Sequence, residues 1–263
     1  MQITLWRFRL LLPLLFGATT FASAQSSVAP GLDSQQCKAV SQRVLQPGAP
    51  VNCQQLQVVR FRYVDFDGKR HDDGEIMVMA AVAPQVQAIF QELFKRRFPL
   101  ARARLMEHYQ GNDEASMADN NTSAFNDRPI TGGKAISLHA YGLAIDLNPL
   151  QNPYVLPDAQ GRPTYSPAAG KAFGQRTAQR QGSSEQVVEI FARHGFVIWG
   201  GDWKKPIDYQ HFQVSRKLAE RMAQLPAAAA RRLFEDSIAA YHACRNAPGA
   251  QARSRKACAA AAG

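Results

Sequence analysis

The chain has 263 residues, of which 46% are hydrophobic, 9% aromatic and 20% charged. This composition predicts a globular protein with one good core and a small appendage, and it excludes a chain that is disordered throughout. The formal net charge of +10 allows an anionic polymer as partner. However, the basic residues do not alternate with aromatic ones as in nucleic-acid modules, so we expect no nucleic-acid partner.

Residues 1–24 have the pattern of a secretory signal. Arg7 and Arg9 precede a short apolar run over residues 10–18, and Ala22-Ser23-Ala24 offers the small residues that a signal peptidase recognises. The run is shorter than the ~20 residues that cross a bilayer, which favours cleavage before Gln25 over an uncleaved anchor. We therefore expect an exported protein, periplasmic or secreted, without integral membrane association.

Four cysteines remain in the mature chain: Cys37, Cys53, Cys244 and Cys258. An even number in an oxidising compartment favours disulfides, and the lack of a Cys-x-x-Cys pair disfavours a cysteine-bound zinc. Three pairings are possible, and local pairing would close one short loop at each end, contributing ~3 kcal/mol per disulfide. We expect a disulfide-stapled N-terminal extension over residues 25–56, a central domain over 57–214 and a C-terminal helical extension over 215–263.

The first half of the central domain begins with strand patterns. An extended run over residues 58–64 is followed by a turn at 65–68 and a second strand at 75–82. Residues 83–97 give the clearest helix, with Pro84 in its first turn. Its buried face is predicted from apolar residues at helical spacing, namely Val86, Ile89, Phe90, Leu93 and Phe94. Pro99 ends the helix, and residues 102–109 then predict a strand.

The second half of the chain has more turn signals. Residues 110–136 are polar and long for a structureless loop, which indicates function. A short strand is predicted over 142–147, a surface excursion over 150–182, and a helix over 183–194 with a capping box formed by Ser183 and Gln186. Residues 196–199 and 208–213 predict paired strands, and 215–225 and 227–244 predict two terminal helices.

Two short stretches carry candidate chemistry. In the first, His139 and Asp146 flank Gly142, so that a histidine and a carboxylate on the returning strand can converge on one ion. The second is Asp208-Tyr209-Gln210-His211-Phe212. In an extended strand, Asp208 and His211 would face opposite sides unless a bulge or turn intervened, so spacing alone leaves a joint site open.

Two imidazoles and one carboxylate are ligands that zinc accepts. Three protein ligands leave a fourth position open, which is typical of catalytic rather than structural zinc. Zinc lowers the pKa of water at that position to about 7 and polarises a peptide carbonyl. A carboxylate nearby would move the proton, and Asp208 is the candidate. The alternative for His139 is an ordinary structural histidine.

The first stretch, Ser137-x-His139-x-x-Gly142-x-Ala144-x-Asp146, resembles in full the signature of the zinc D-alanyl-D-alanine carboxypeptidases, the VanY-like group. That group includes vancomycin-resistance D,D-dipeptidases and L-alanyl-D-glutamate endopeptidases. The second stretch is similar to the family's other element, an acidic residue three positions before a His-Phe pair. The resemblance extends over residues 57–214, with further similar segments at 120–128, 146–149 and 199–203.

The resemblance implies zinc (Zn2+) bound by His139, Asp146 and His211, with Asp208 as general base. Many relatives carry glutamate at the base position, and aspartate is one methylene shorter. Arg128 is the candidate for stabilising the oxyanion or gripping a substrate carboxylate, with a surface ion pair as the alternative.

Ser123 and Ser137 could hydrogen-bond the peptide, or act as loop or strand caps. The implied fold is α+β, a small antiparallel sheet that carries the zinc site with flanking helices, as in the hedgehog and D-Ala-D-Ala metallopeptidase type.

The implied activity is hydrolysis of peptide bonds in peptidoglycan stem peptides, with removal of the terminal D-alanine preferred. The alternatives are an L-alanyl-D-glutamate or cross-link endopeptidase, and a non-catalytic cell-wall-binding module of the same fold. No Ser-x-x-Lys occurs, so the serine route to the same substrate is disfavoured. We expect a monomer whose partners are peptidoglycan peptides.

Overall fold

The computed structural model of the protein describes residues 1–2, 31–176, 180–247 and 253–262. Nearly all of the predicted signal sequence, and Gln25 after it, lie outside these residues. The described part mixes helices with small sheets, which confirms the predicted α+β class. Its α-helices are α1 (Ser34–Arg43), α2 (Ala83–Lys95), α3 (Asp113–Ala118), α4 (Val188–Arg193), α5 (Arg216–Ala223), α6 (Ala227–Arg245) and α7 (Arg255–Ala259).

The strands of the described residues form four small sheets. They are β1 (Leu56–Val64), β2 (Arg70–Met79), β3 (Arg102–Ala103), β4 (Asn121–Thr122), β5 (Ala144–Asp146), β6 (Tyr154–Pro157), β7 (Pro163–Ser166), β8 (Ile198–Trp199), β9 (Ile207–Asp208) and β10 (His211–Gln213). The hairpin β1–β2 and the sheets β5-β10-β8 and β7-β6-β9 are antiparallel, whereas β3 and β4 pair in parallel. Two of these sheets meet at the segment that carries Asp208 and His211.

The main core forms where α2 packs on the β1–β2 hairpin. The predicted helix is confirmed, and it ends at Lys95, two residues before the predicted end. Val86, Ile89, Phe90 and Leu93 are buried, as helical spacing requires, whereas Phe94 is only partly buried. The ring of Phe90 stacks on that of Phe61 from β1, with 3.8 Å between centroids. The hairpin and helix thus give the molecule a rigid base.

Gly142 joins this base to the segment that carries His139 and Asp146. Its φ is +65°, a left-handed conformation that glycine adopts without strain. A Cβ at this position would lie 2.5 Å from the backbone nitrogen of Met79 in β2. That nitrogen donates a hydrogen bond of 2.9 Å to the Gly142 carbonyl. The glycine is therefore required both by the turn and by the close approach of two backbones.

The strand predicted over residues 102–109 is wrong beyond Ala103. The chain continues as a 3-10 helix over Met106–Tyr109. The reason is the side chain of Asn121, which accepts a hydrogen bond from the Arg104 nitrogen and donates one to the Arg104 carbonyl. These bonds of 2.8 and 3.0 Å take the place of further strand pairing.

The polar residues 110–136 are more ordered than their composition suggests. Asn112 caps α3, because its side chain accepts a hydrogen bond from the Ala115 nitrogen. The capping box predicted at Ser183 is wrong, since the Ser183 side chain makes no capping hydrogen bond. The Ser184 nitrogen donates instead to the side chain of Asn152, at 2.8 Å. The predicted helix is divided into a 3-10 turn over Ser184–Gln186 and the short α4.

The segment 150–182 is more than a surface excursion. Its strands β6 and β7 form a hairpin, and β6 also pairs with β9, with Tyr154 opposite Asp208. A 3-10 helix over Ala168–Phe173 follows the hairpin. The segment therefore supplies two of the three strands of the sheet that carries Asp208.

Both ends of the chain carry the local disulfide expected from the sequence. Cys37–Cys53 links α1 to the 3-10 turn over Cys53–Gln55 that precedes β1, and Cys244–Cys258 links α6 to α7. Val40 of α1 and Phe234 of α6 belong to the main core, so both extensions pack on the central region. The proposed boundaries at 57 and 214 stay predictions. In the described ranges, every helix is too short or too polar to cross a membrane.

Candidate metal centre

Three short elements bring His139, Asp146 and His211 together. His139 lies in a 3-10 turn over Leu138–Tyr141, which Ser137 caps by accepting a hydrogen bond from the His139 nitrogen. Asp146 ends β5, and His211 begins β10 directly opposite it in the antiparallel register. All three side chains are buried. We call this trio the metal centre.

The facing atoms of the metal centre lie close enough to share one cation. His139 Nε2 lies 3.2 Å from His211 Nδ1, and the Asp146 carboxylate lies 3.1 Å from the first atom and 2.9 Å from the second. One ligand atom from each residue falls within 4.8 Å of the others. Two imidazole nitrogens at this distance repel each other through their lone pairs unless a proton or a metal ion lies between them.

Hydrogen bonds from the outer side orient both imidazole rings. His139 Nδ1 lies 2.5 Å from the Ala124 carbonyl, which can only accept, so this nitrogen carries the proton and Nε2 faces the centre. His211 Nε2 donates to the side chain of Gln213 at 2.7 Å, so that Nδ1 faces the centre. Such outer partners fix the tautomer of metal-binding histidines. The residues present therefore fit a divalent cation such as zinc.

The electrostatics of the trio also favour a cation. Burial favours the neutral form of Asp146 and so tends to raise its pKa. The charges and hydrogen bonds of His139 and His211 have the larger, opposite effect and hold the pKa below the ordinary range. Burial alone would lower the pKa of His211, yet its hydrogen bond to Asp146 and the charge of that residue raise it to about 9. A proton and a metal ion would compete for this imidazole.

Asp208 joins the centre through a turn. Residues 209–210 form the turn between β9 and β10, so Asp208 and His211 need not face opposite sides as they would in one continuous strand. Burial raises the pKa of the Asp208 carboxyl to about 7, and the charge of Asp146 acts in the same direction. Its Oδ1 atom is buried and has no hydrogen-bond partner within the described residues. A buried carboxylate with a free oxygen is suited to accept a proton.

Arg128 lies at the rim of the same site and is held there by Asp113. The two side chains form an ion pair of 2.7 Å, and each is about one-fifth exposed. Arg128 also donates to the carbonyl of Pro129. The ion-pair alternative raised from the sequence is therefore present, but the pair borders the cavities beside Asp208 instead of lying on an outer surface.

The two predicted serines occupy different positions. Ser137 lines a cavity beside the metal centre and also caps the turn that carries His139. Ser123 is buried behind Asp146, with which it exchanges two backbone hydrogen bonds of 2.8 and 3.0 Å. It does not line either cavity at the centre. The structure thus brings Ser137 to the site and uses Ser123 as backbone support.

The metal centre opens into a groove with two arms. One arm is a cavity of about 540 Å³ bounded by α3, the β6–β7 hairpin and residues 128–134; the other measures about 430 Å³ and is bounded by Trp203, Pro206 and Arg216. Asp208 and Tyr154 line both arms. Both arms therefore meet at Asp208 beside the metal centre, where an extended peptide could pass.

Several groove residues could not be found from the sequence. Tyr154 comes from a segment rich in proline and glycine that carries no catalytic motif, and only its pairing with β9 brings it to the groove. Gln213 follows the second motif by one residue but has no signal that marks it as a partner of His211. The ring of Trp203, which belongs to the similar segment 199–203, lies with its centroid 5.4 Å from that of His211.

Comparison with protein-family models gives a match over the second half of the chain. Residues 131–214 match the family model described as D-alanyl-D-alanine carboxypeptidase. This segment includes all three residues of the metal centre and Asp208, whereas Arg128 and Ser123 precede it. Searches of curated proteins and of solved structures gave no match. The match confirms the family resemblance over the segment that builds the site.

Proposed function

From this match of residues 131–214 to the D-alanyl-D-alanine carboxypeptidase family, we propose that the protein is a zinc peptidase that hydrolyses peptidoglycan stem peptides. One observation carries the proposal. The ligand atoms of His139, Asp146 and His211 converge within 4.8 Å in a buried position, next to the free carboxylate oxygen of Asp208. Three ligands with an adjacent carboxylate are the arrangement of a hydrolytic zinc site.

The ligands would be His139 through Nε2, His211 through Nδ1 and the carboxylate of Asp146. Zinc bound there would supply a Lewis acid that polarises the scissile carbonyl and lowers the pKa of a water molecule to about 7. The chain contributes the orientation of these groups, because Ala124 and Gln213 hold the outer nitrogens of the two imidazoles.

Asp208 would move the proton. Its buried carboxylate takes a proton from the attacking water and passes it to the leaving amine as the peptide bond breaks. Without a bound cation, burial raises the pKa of this carboxyl to about 7. A bound cation would lower this pKa and favour the base form that accepts the proton.

Arg128 would stabilise negative charge on the substrate. Its guanidinium lies at the meeting of the two arms, and Asp113 restricts its position through the ion pair. A planar donor in a fixed position can receive the oxyanion or a substrate carboxylate. The Ser137 hydroxyl, which lines the smaller arm, is a further candidate contact with the substrate.

The preferred bond is the one that releases the terminal D-alanine. A specific observation favours a second candidate, an endopeptidase that cuts an L-alanyl-D-glutamate bond or a cross-link. A carboxypeptidase needs room for a chain end on one side of the bond, whereas two cavities of several hundred Å³ border Asp208 here. The two disulfides are compatible with the export that either activity would need.

Mass spectrometry of purified muropeptides after digestion would test the proposal. The zinc-loaded protein is expected either to remove one alanine or to cut inside the stem peptide, and the masses of the products separate the two. Asp208→Asn should lower the rate at which both products form by at least about 100-fold. Asp236→Asn on α6 makes the same chemical change at an exposed position and should leave them intact. If the zinc-loaded protein binds stem peptides without cutting them, a non-catalytic wall-binding module is the better description.

A further inference from the structure

Gln210 is a buried side chain in the groove for which neither motif provides a role. It lies in the turn between Asp208 and His211, is only 3% exposed, and lines the larger arm together with Met117 of α3. Its backbone carbonyl accepts a hydrogen bond of 3.0 Å from the nitrogen of Leu147, just after β5. The turn is therefore anchored to the strand that carries Asp146.

The amide nitrogen of Gln210 has an acceptor on the protein side. It donates to the thioether of Met117 at 3.4 Å. A thioether cannot donate, so exchanging the oxygen and nitrogen of the amide would lose this interaction. This orientation leaves the amide oxygen as the free end.

That oxygen, Oε1, is buried without a hydrogen-bond partner among the described residues. Asp208 Oδ1 is in the same condition, and both residues line the larger arm of about 540 Å³. A buried acceptor that is left unpaired costs folding free energy, and such groups persist where a ligand satisfies them. The two free acceptors lie where a substrate would place hydrogen-bond donors.

We propose that Gln210 is a substrate-binding residue whose amide oxygen accepts a hydrogen bond from an N–H group of the peptide in the larger arm. The inference rests on the proposed peptidase function and adds a specificity residue to it. The N–H group has two possible sources, a backbone amide of the peptide and a side-chain ammonium. Lys134 and Glu114 both border this arm, so the charges at the rim do not by themselves choose between the sources.

A matched pair of variants tests the role of the amide. Gln210→Met removes both polar atoms and keeps a similar volume beside Met117. Gln57→Met is the control, because Gln57 Oε1 is likewise buried and unpaired in the described residues but lies on β1, away from the groove. For the zinc-loaded protein and the stem peptide L-Ala-D-Glu-L-Lys-D-Ala-D-Ala, Gln210→Met is expected to lower kcat/KM about 5- to 15-fold. Gln57→Met should leave it unchanged, and both variants should retain zinc.

Modified peptides identify the donor without relying on a variant. Each backbone amide is N-methylated in turn, and in a separate peptide the lysine amine is acetylated. One of these peptide modifications should lower kcat/KM of the wild-type protein by about as much as Gln210→Met does, and should lower kcat/KM of Gln210→Met little further. If an N-methylated peptide shows this pattern, the donor is a backbone amide. If the acetylated peptide shows it, the donor is the ammonium.

The inference is overturned if Gln210→Met retains wild-type kcat/KM, or if its effect and that of every peptide modification simply multiply. The peptidase proposal fails differently, through the lack of cleavage of any peptide by the wild-type protein. In that case isothermal titration calorimetry with the same peptides replaces kcat/KM by Kd. The same non-additive pattern would support the binding role, and unchanged Kd values would refute it.

Discussion

The metal centre and the two disulfide-linked ends of the chain are built from opposite kinds of interaction. The centre and the neighbouring Asp208 gather two imidazoles and two carboxylates in a buried space, where Asp208 keeps an unpaired oxygen and a raised pKa. The ends are built mainly from apolar burial, with Val40 and Phe234 in the main core and a disulfide closing each loop. One region concentrates charge at a cost in stability, and the other supplies stability mainly through apolar contacts and cross-links.

This difference predicts that the two regions respond oppositely to mutation. Changes in the metal centre should remove activity and leave the fold standing, because the polar ligand side chains are not part of the apolar core that surrounds them. Changes in the ends should lower stability and leave the activity of each folded molecule nearly intact. Stability is commonly lost at functional sites and supplied by the rest of the fold.

The largest effect is expected for His211→Ala. The change removes one of three proposed ligands and leaves Asp146 and His139 without their shared partner. We expect kcat/KM to fall on the order of 10⁴-fold, because the Lewis acid is lost together with the metal. Activity assays and zinc analysis by mass spectrometry would measure this. A variant that keeps one zinc per chain and wild-type kcat/KM would show that His211 is no ligand.

Asp208→Asn should show most clearly that changes beside the metal centre remove activity and leave the fold intact. It should lower kcat by 10²- to 10⁴-fold, since the proton acceptor is lost, and zinc content should stay near one. Loss of zinc instead would mean that Asp208 is a ligand and not the base.

The same variant has a second, pH-dependent consequence for stability. The pKa of Asp208 is raised in the folded protein, so ionisation costs stability as the pH rises from about 4 toward about 7. In chelator-treated protein, Asp208→Asn should be the more stable above pH 7, by on the order of 4 kcal/mol, and this advantage should disappear near pH 3. Urea unfolding at several pH values measures the difference, and a constant gap across the range would contradict it.

The opposite behaviour is expected when the N-terminal disulfide is removed. Replacing Cys37 and Cys53 together by serine should lower the free energy of unfolding by about 2–4 kcal/mol, because the unfolded chain regains the entropy of an open loop. The kcat of the folded, zinc-loaded protein should stay within about two-fold of wild type, since α1 does not line the groove. A large loss of kcat at a temperature where the variant is folded would contradict the expectation that the ends of the chain affect stability and not activity.

The smallest effect is expected where the two regions meet. Arg255 of α7 pairs with Asp202, one residue before Trp203, whose ring lies beside His211. Arg255→Met should lower kcat/KM only about two- to five-fold, an indirect effect worth about 0.5–1 kcal/mol. Lys256→Met removes the exposed partner of the same aspartate and should have no measurable effect. Equal effects of the two variants would indicate that the buried ion pair does not position Trp203.

Much of the local structure was predictable from neighbouring residues. The helix over 83–97, the two terminal helices and the paired strands around 198 and 211 follow from periodicity and turn residues within each segment. The His139–Gly142–Asp146 spacing also predicted convergence correctly, because the turn that joins the two residues is local and depends on one glycine.

Other features depend on contacts between distant segments. The strand after Arg102 ends early because Asn121, far along the chain, takes its backbone hydrogen bonds. The hairpin over 154–166 borders the groove only because β6 pairs with β9. Neither contact leaves a pattern within the segments that make it, so propensity and spacing could not predict either.

The sequence by itself determined the fold class, the local disulfides and the two motifs that hold the candidate ligands. Each of these follows from residues that are near one another in the chain, or from a signature whose spacing is local. Only the tertiary structure showed that a turn brings Asp208 and His211 to one cavity, which spacing alone left open, that Arg128 is held by Asp113, and that Gln210 keeps a free oxygen in the groove. These features depend on which residues, far apart in the chain, become hydrogen-bond or ion-pair partners when they are buried. Those partners are fixed only once the chain is packed.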